Sequence, residues 1–327
     1  MIMLIIGCDY KPASFGDFEK IVVFSDTLLF RQIQTELEQT FDQFIYTPHL
    51  ERSFYLDLQP LSAFDTYQTR RNLLFIGLLD SDNEVSDFLN EALSIEVKEA
   101  VAEGKVFEIF KENVFATGQV VMFLPAVDIG SLKRNLSDRS EMIFKRLNTL
   151  YFERLASAMY MKGEQISLEQ YLAEKTGWKI RVQHDYELVK EDKDGHYIWL
   201  RRLNPDRCFF IYRLKGNKMA QSGDWMYNLR DSLGTAFYEG DSIDREDTYL
   251  QFIDFLGYQA IKLTGVWQNH QYYIGGPFRT YFFYDEESGF TYVLDLSVTA
   301  PGQRKKPFID QLEVMAQTFE IVSSKKM

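Results

Sequence analysis

The chain has 327 residues, 46% hydrophobic and 15% aromatic, and a formal net charge of −12. That length carries about two domains with a sizeable core, and a charged fraction of 26% excludes wholesale disorder. The acidic balance repels phosphate backbones and argues against general nucleic-acid binding, while two cysteines, Cys8 and Cys208, are too few for a disulfide framework.

The chain opens Met1-Ile2-Met3-Leu4-Ile5-Ile6-Gly7-Cys8 and turns polar at Asp9. An apolar run ending in a small residue has the pattern of the end of a secretory signal peptide. With Gly7 directly before the cysteine, Ile5-Ile6-Gly7-Cys8 resembles a bacterial lipobox, which implies acylation of the Cys8 thiol and cleavage that leaves Cys8 as the new N-terminus. No Lys or Arg precedes the run, and it is shorter than a usual signal core; a start codon further upstream accounts for both. The competing reading is a first strand with a buried cysteine. No later stretch approaches the ~20 apolar residues of a transmembrane helix, so a lipid on Cys8 is the expected membrane attachment.

Residues 1–17 read as signal remnant and tether, broken by Pro12, Ser14 and Gly16. Lys20 to Phe24 reads as a buried strand, and Thr27 to Phe44 has helical spacing in Leu29, Ile33, Leu37 and Phe41. Phe54 to Leu58 alternates as a strand, Arg71 to Leu78 is a near-continuous apolar run of the kind covered on both faces, and Asp82 begins a helix to about Ala102. Gln119 to Leu124 is another strand, and Ile129 to Met161 is helical. Alternating strands and helices predict an α/β-like domain over residues 18–165.

From Trp178 the texture changes to long alternating strands. Lys179 to Val182, His196 to Leu203 and Cys208 to Leu214 are strands, with a turn at Asp192-Lys193-Asp194-Gly195 and a helix from Trp225 to Phe237. A second run repeats the order: strands at Lys262 to Trp267, Phe278 to Asp285 and Thr291 to Val298, then a helix from Pro307 to Phe319. Corresponding residues keep an offset of 82, as between Phe237 and Phe319 (319 minus 237), Leu200 and Phe282, or Ile211 and Val293. The expectation is α+β: the α/β-like N-terminal half, then a strand-rich, mostly antiparallel half of two βββα units, duplicated over residues 176–322.

The lipobox, Arg71-Asn72-Leu73-Leu74-Phe75-Ile76, Asp231-Ser232-Leu233-Gly234-Thr235, Gly275-Gly276-Pro277-Phe278-Arg279 and Ala300-Pro301-Gly302-Gln303-Arg304-Lys305 occur in that order. As a set they resemble an uncharacterised lipoprotein family, a domain of unknown function found chiefly in the Bacteroidetes. The resemblance covers nearly all the chain after Cys8 and implies a Gram-negative cell-envelope location. It implies no activity.

Candidate sites are few. Asp80-Ser81-Asp82-Asn83-Glu84 partly fits a calcium loop, but Val85 stands where that loop needs glycine, and helix capping by Ser81 or Asp82 explains the same residues. Asp241, Asp244, Glu246 and Asp247 read as a solvated acidic loop. His49, His184, His196 and His270 lack ligand spacing, so no metal is expected, and no cofactor motif is present. Cys208 precedes Phe209-Phe210-Ile211, the texture of a buried, inert thiol. Gly275 and Gly276 with Arg279, and Arg304-Lys305-Lys306 before the last helix, are candidate contacts for an anion or a partner, against the plainer reading of turns. Trp225, Trp267, Tyr272 and Tyr273 read as core rather than groove. The expected function is a non-enzymatic envelope lipoprotein at the outer membrane, facing the periplasm or the surface, that binds a partner protein or ligand. The alternative is an envelope hydrolase whose site is assembled only in three dimensions.

Overall fold

The computed structural model describes residues 11–45 and 47–322; Cys8 lies outside them. The protein is α+β, and the chain divides into two compact units, residues 1–44 with 52–154 and residues 45–51 with 155–327.

The N-terminal unit is built on a five-stranded sheet. Its strands are β1 (Lys20–Phe24), β2 (Tyr55–Gln59), β3 (Asn72–Leu78), β4 (Ile109–Glu112) and β5 (Val120–Ala126), in the order β2-β1-β3-β5-β4. The first four are parallel and β4 runs antiparallel to β5. All seven residues of β5 and six of β3 are buried, which is why both read as unbroken apolar runs. Phe24, Phe75 and Phe123 stack from strand to strand, with centroids 5.0 and 5.3 Å apart. Two buried amides stitch chain to sheet: Asn72 Nδ2 donates to the carbonyls of Phe18 and Lys20, and Gln119 Nε2 to those of Gln68 and Arg70.

Both predicted helices at this end split in two. The first becomes α1 (Thr27–Gln32) and α2 (Gln34–Phe41), capped by Asp26 through the amides of Leu28 and Leu29. The second becomes α3 (Glu84–Ala92) and α4 (Ile95–Ala102), because Ser94 caps a new helix start at Val97 N. The cap of α3 is Asn83 rather than Ser81 or Asp82. Residues 11–17 are not a loose tether: Ser14 N donates to Thr117 O at 2.8 Å and Phe15 N to Thr69 O at 3.1 Å, both within the N-terminal unit. Helix α5 (Ile129–Tyr160) buries Leu132, Leu136, Ile143, Leu147 and Leu150 at helical spacing.

The C-terminal unit contains α6 (Ile166–Thr176) and one antiparallel sheet of β6 (Glu187–Glu191), β7 (Tyr197–Arg202), β8 (Asp206–Lys215), β9 (Tyr249–Phe255), β10 (Tyr258–Asn269), β11 (Ile274–Asp285) and β12 (Phe290–Thr299). Their order is β9-β10-β11-β12-β8-β7-β6, with Ser242 and Ile243 pairing beside Trp267 and Gln268 on the β9 edge. Helix α7 (Gly223–Phe237) follows β8, and α8 (Lys306–Ala316) follows β12.

Two βββα runs are present. The first begins with β6 rather than with the expected strand Lys179 to Val182, of which Lys179 alone is strand and pairs with Glu320 outside this sheet. The helices of the two runs lie on different faces. Trp225 packs on Phe282, Phe237 on Phe210, and Arg230 pairs with Asp295, so α7 covers the face carrying residues 210, 282 and 295. Phe319, just past α8, packs on Phe283 and Tyr292, and Glu313 pairs with Arg279, which places α8 on the other face. The last strands of the runs, β8 and β12, pair antiparallel. A rotation exchanging two meanders joined that way keeps their helices on one face. Opposite faces give the two runs opposite hands, so no rotation superposes strands and helix together.

Candidate functional site

The C-terminal unit carries a groove of about 840 Å³ between α6, the short ladder of Trp178 and Lys179 with Glu320 and Ile321, and the turn at Leu256. Ile166, Ala173, Ile180, Leu256 and Phe319 supply apolar surface, and Ile166 is 53% exposed. Ion pairs form the rim. Arg181 grips Glu164 with two bonds of 2.7 Å and lies 3.6 Å over the Tyr160 ring, while Lys179 meets Glu320 at 2.8 Å. Burial raises the Glu169 carboxyl above its ordinary range although it accepts from Val182 N. Sequence reasoning missed α6, and with it the groove.

A second, narrow cleft of about 90 Å³ opens at the C-terminal end of α7, where Trp199, Tyr238, Trp267 and Tyr272 surround Asp241 and Asn269. Asn269 Nδ2 donates to Asp241 Oδ1 at 2.8 Å and to Glu239 O at 3.1 Å, so one buried amide pins the loop after the helix. Asp241 is only 8% exposed, which corrects its reading as part of a solvated acidic loop. Burial pushes its carboxyl up to about 6, against the Asn269 bond and the charge of Arg230. A carboxyl raised in the folded state favours folding when protonated; this contribution is complete below 3.8 and is lost as pH rises through about 6. Asp241→Asn is therefore expected to stabilise the protein at pH 8 by about 1–2 kcal/mol, discounted for partial solvation, and to change little at pH 4. Urea melts at the two pH values check this.

The residues expected as an anion or partner contact do not form an open site. Gly275 and Gly276 lie inside β11, where a Cβ would stand 2.7 Å from Trp267 O and 1.8 Å from Val298 O respectively, so close strand approach explains them. Arg279 is buried and committed to Glu313 at 2.6 Å and Asp310 at 3.6 Å. Lys306 is 2% exposed and paired with Asp310. The backbone amides of Lys305 and Lys306 donate to the Glu51 carboxylate, near which Arg304 Nε also lies, at 3.8 Å. These cations hold α8 to its surroundings.

Cys208 is buried and burial pushes its thiol up to about 12, far from a nucleophilic thiolate. Among the described residues, Asp192, Asp194 and His196 are the group close enough to share a metal. Asp192 Oδ2 accepts from His196 Nδ1 at 2.7 Å and from two turn amides, which is what a hairpin turn requires by itself. Trp267 and Tyr272 line the cleft, Trp225 packs in the core, and Tyr273 is 92% exposed.

The chain matches two models of uncharacterised domains. Residues 165–318 match the domain of unknown function DUF4837, and residues 14–160 match the domain of unknown function DUF8532. Each half is thus a domain of unknown function. No curated protein matches the chain. Among solved structures, the Ran-binding protein Mog1p of Saccharomyces cerevisiae is 11% identical, covering 46% of this chain and 92% of its own at a TM-score of 0.32. LpqN of Mycobacterium tuberculosis, described as involved in cell envelope biogenesis, is 14% identical, covering 43% and 81% at 0.28. The Pseudomonas aeruginosa protein PA94 is 14% identical, covering 41% and 86% at 0.23. Scores this low carry no functional argument.

Proposed function

We propose that the chain is a non-enzymatic cell-envelope lipoprotein, held to the outer membrane by a lipid on Cys8, that binds an extended segment of a partner protein along the groove beside α6. The groove is the observation that carries this reading. Its volume, about 840 Å³, lies at the upper end of the range for ligand sites. Its apolar floor between rims of both charge signs suits a polypeptide that presents apolar and charged side chains in alternation. The Ile5-Ile6-Gly7-Cys8 sequence supports the anchor.

Metabolic palmitate labelling of the protein expressed from its native upstream DNA tests the anchor. Label and membrane association are expected for the wild type and lost in Cys8→Ala; an unlabelled, unprocessed wild type overturns it. A photo-crosslinking side chain placed in turn at Ile166, Leu256 and the exposed Val189 tests the groove. One discrete adduct shared by the first two positions and absent at Val189 is expected. Equal labelling at all three positions sinks the groove.

A further inference from the structure

The cleft at the end of α7 is separate from the groove, and its walls are of a different kind. Aromatic rings dominate: Trp199, Phe237, Tyr238, Trp267 and Tyr272 all line it. The charged groups facing Asp241 largely cancel in pairs. Arg201 is held by Asp206 through bonds of 2.8 and 2.6 Å, and Arg230 is held by Asp295 at 2.8 Å. That leaves Glu239 and Asp241. Asp241 is more than nine-tenths buried and spends one oxygen on the neutral Asn269 amide. Its other oxygen and the Glu239 carboxylate make no hydrogen bond among the described residues, although Arg230 attracts Asp241 and Arg201 attracts Glu239 across the cleft. Glu239 adopts φ +56, a left-handed conformation costly for a non-glycine residue, and the Asn269 bond to its carbonyl holds the loop there.

We propose that this cleft binds a primary ammonium group on an alkyl chain. With Arg201 and Arg230 matched by Asp206 and Asp295, Glu239 and Asp241 leave the cleft an excess of negative charge, which repels an anion and attracts a cation. Aromatic faces add cation–π attraction, which the protein already uses here, with the Arg201 guanidinium carbon 5.8 Å from the centroid of the Trp199 ring. A calcium ion requires six to eight oxygen ligands, which ring faces do not supply. A volume of about 90 Å³ admits the tip of a slender chain and not a whole cofactor. The ammonium enters first, toward Asp241, with its methylenes trailing along Trp267 and Tyr272. Free aliphatic diamines and the lysine side chain of a partner share this chemistry.

The test is a tryptophan-fluorescence titration of the full chain with cadaverine, with Nα-acetyl-lysine methylamide, and with acetate as the anionic control. A saturable change with one or both amines, and none with acetate, upholds the site. A response to cadaverine alone assigns it to free amines, and one to the lysine derivative alone to a partner's side chain. Asp241→Asn, checked by thermal melting to be folded, is expected to weaken binding about tenfold, and Glu239→Gln, at the exposed mouth, about threefold. Wild-type affinity is expected to fall as pH drops through the titration of Asp241. No saturable change with either amine, undiminished binding in both variants, or a response to acetate overturns the proposal. None of these outcomes bears on the groove, whose crosslinks are read elsewhere on the unit.

Discussion

Arg230→Ala is expected to cost about 3–5 kcal/mol of stability, the largest loss from any single polar truncation in the C-terminal unit. Arg230 on α7 and Asp295 on β12 are both fully buried, with Nε 2.8 Å from Oδ1. Asp295 also accepts from Thr280 Oγ1 at 2.6 Å, and the guanidinium carbon lies 5.1 and 5.0 Å from the ring centroids of Tyr238 and Phe278. Removing the arginine strands a carboxylate in an apolar layer, where an unpaired charge is costly. Removing both charges together has the opposite logic: Arg230→Met with Asp295→Leu replaces the pair with packed apolar volume and is expected to lie within about 1 kcal/mol of wild type. Urea denaturation of both single variants and the double variant closes the cycle. A double variant as unstable as the two single losses added together would show that the pair is not what the fold depends on.

The second large effect lies on the opposite face of the sheet. Glu313 of α8 is reached by Arg279 at 2.6 Å, by Lys262 Nζ, and by the Tyr281 hydroxyl, which donates at 2.6 Å. Burial raises its carboxyl, but Arg279 and Lys262 outweigh burial and hold it at about 2. For Lys262 the balance falls the other way, with burial lowering the ammonium despite Glu313. The Arg279 pair therefore carries most of the attraction. A carboxylate held below its unfolded value contributes stability that is full above about 4.5 and lost as pH falls through about 2. Glu313→Gln is expected to lose about 3 kcal/mol at pH 7, and to flatten the acid limb of the stability curve between pH 4.5 and 2. Thermal melts across that interval check both. An acid limb unchanged from wild type would remove Glu313 from the account.

The pattern of the N-terminal unit was legible because its sheet is parallel and covered on both faces. Such strands are apolar throughout, as in Leu73-Leu74-Phe75-Ile76 and Val120-Val121-Met122-Phe123. Helix α6 escaped notice because its apolar residues are not shielded in the usual way: Ile166 is half exposed, Tyr171 is exposed, and Leu172 is the one large side chain fully inside. Strand β9 escaped because it is an edge, with Phe252 87% exposed and no alternation to follow. The cleft was hidden for a different reason. Asp241, Asp244, Glu246 and Asp247 look alike in sequence, and what buries the first is Asn269, contributed by a strand that comes later in the chain. The constant offset of 82 between Phe237 and Phe319 (319 minus 237) reflects a meander followed by a helix, twice. Alternation records which residues share a face of a strand, but not which face of the sheet the next helix will cover, and that is where the two runs part.

The lengths of β10 and β11 have a bearing on how occupants of the C-terminal unit relate to each other. Leu256, at the groove, sits just before the start of β10, and Trp267 and Asn269, at the cleft, sit at its other end. An extended strand rises about 3.4 Å per residue, so the two recesses stand roughly 35 Å apart along the same strand. Occupants that far apart cannot collide, so each is filled according to its own concentration. A polypeptide in the groove and an amine in the cleft would then form a ternary complex whose two affinities multiply without competition, and the unit would act as a spacer of fixed length between them.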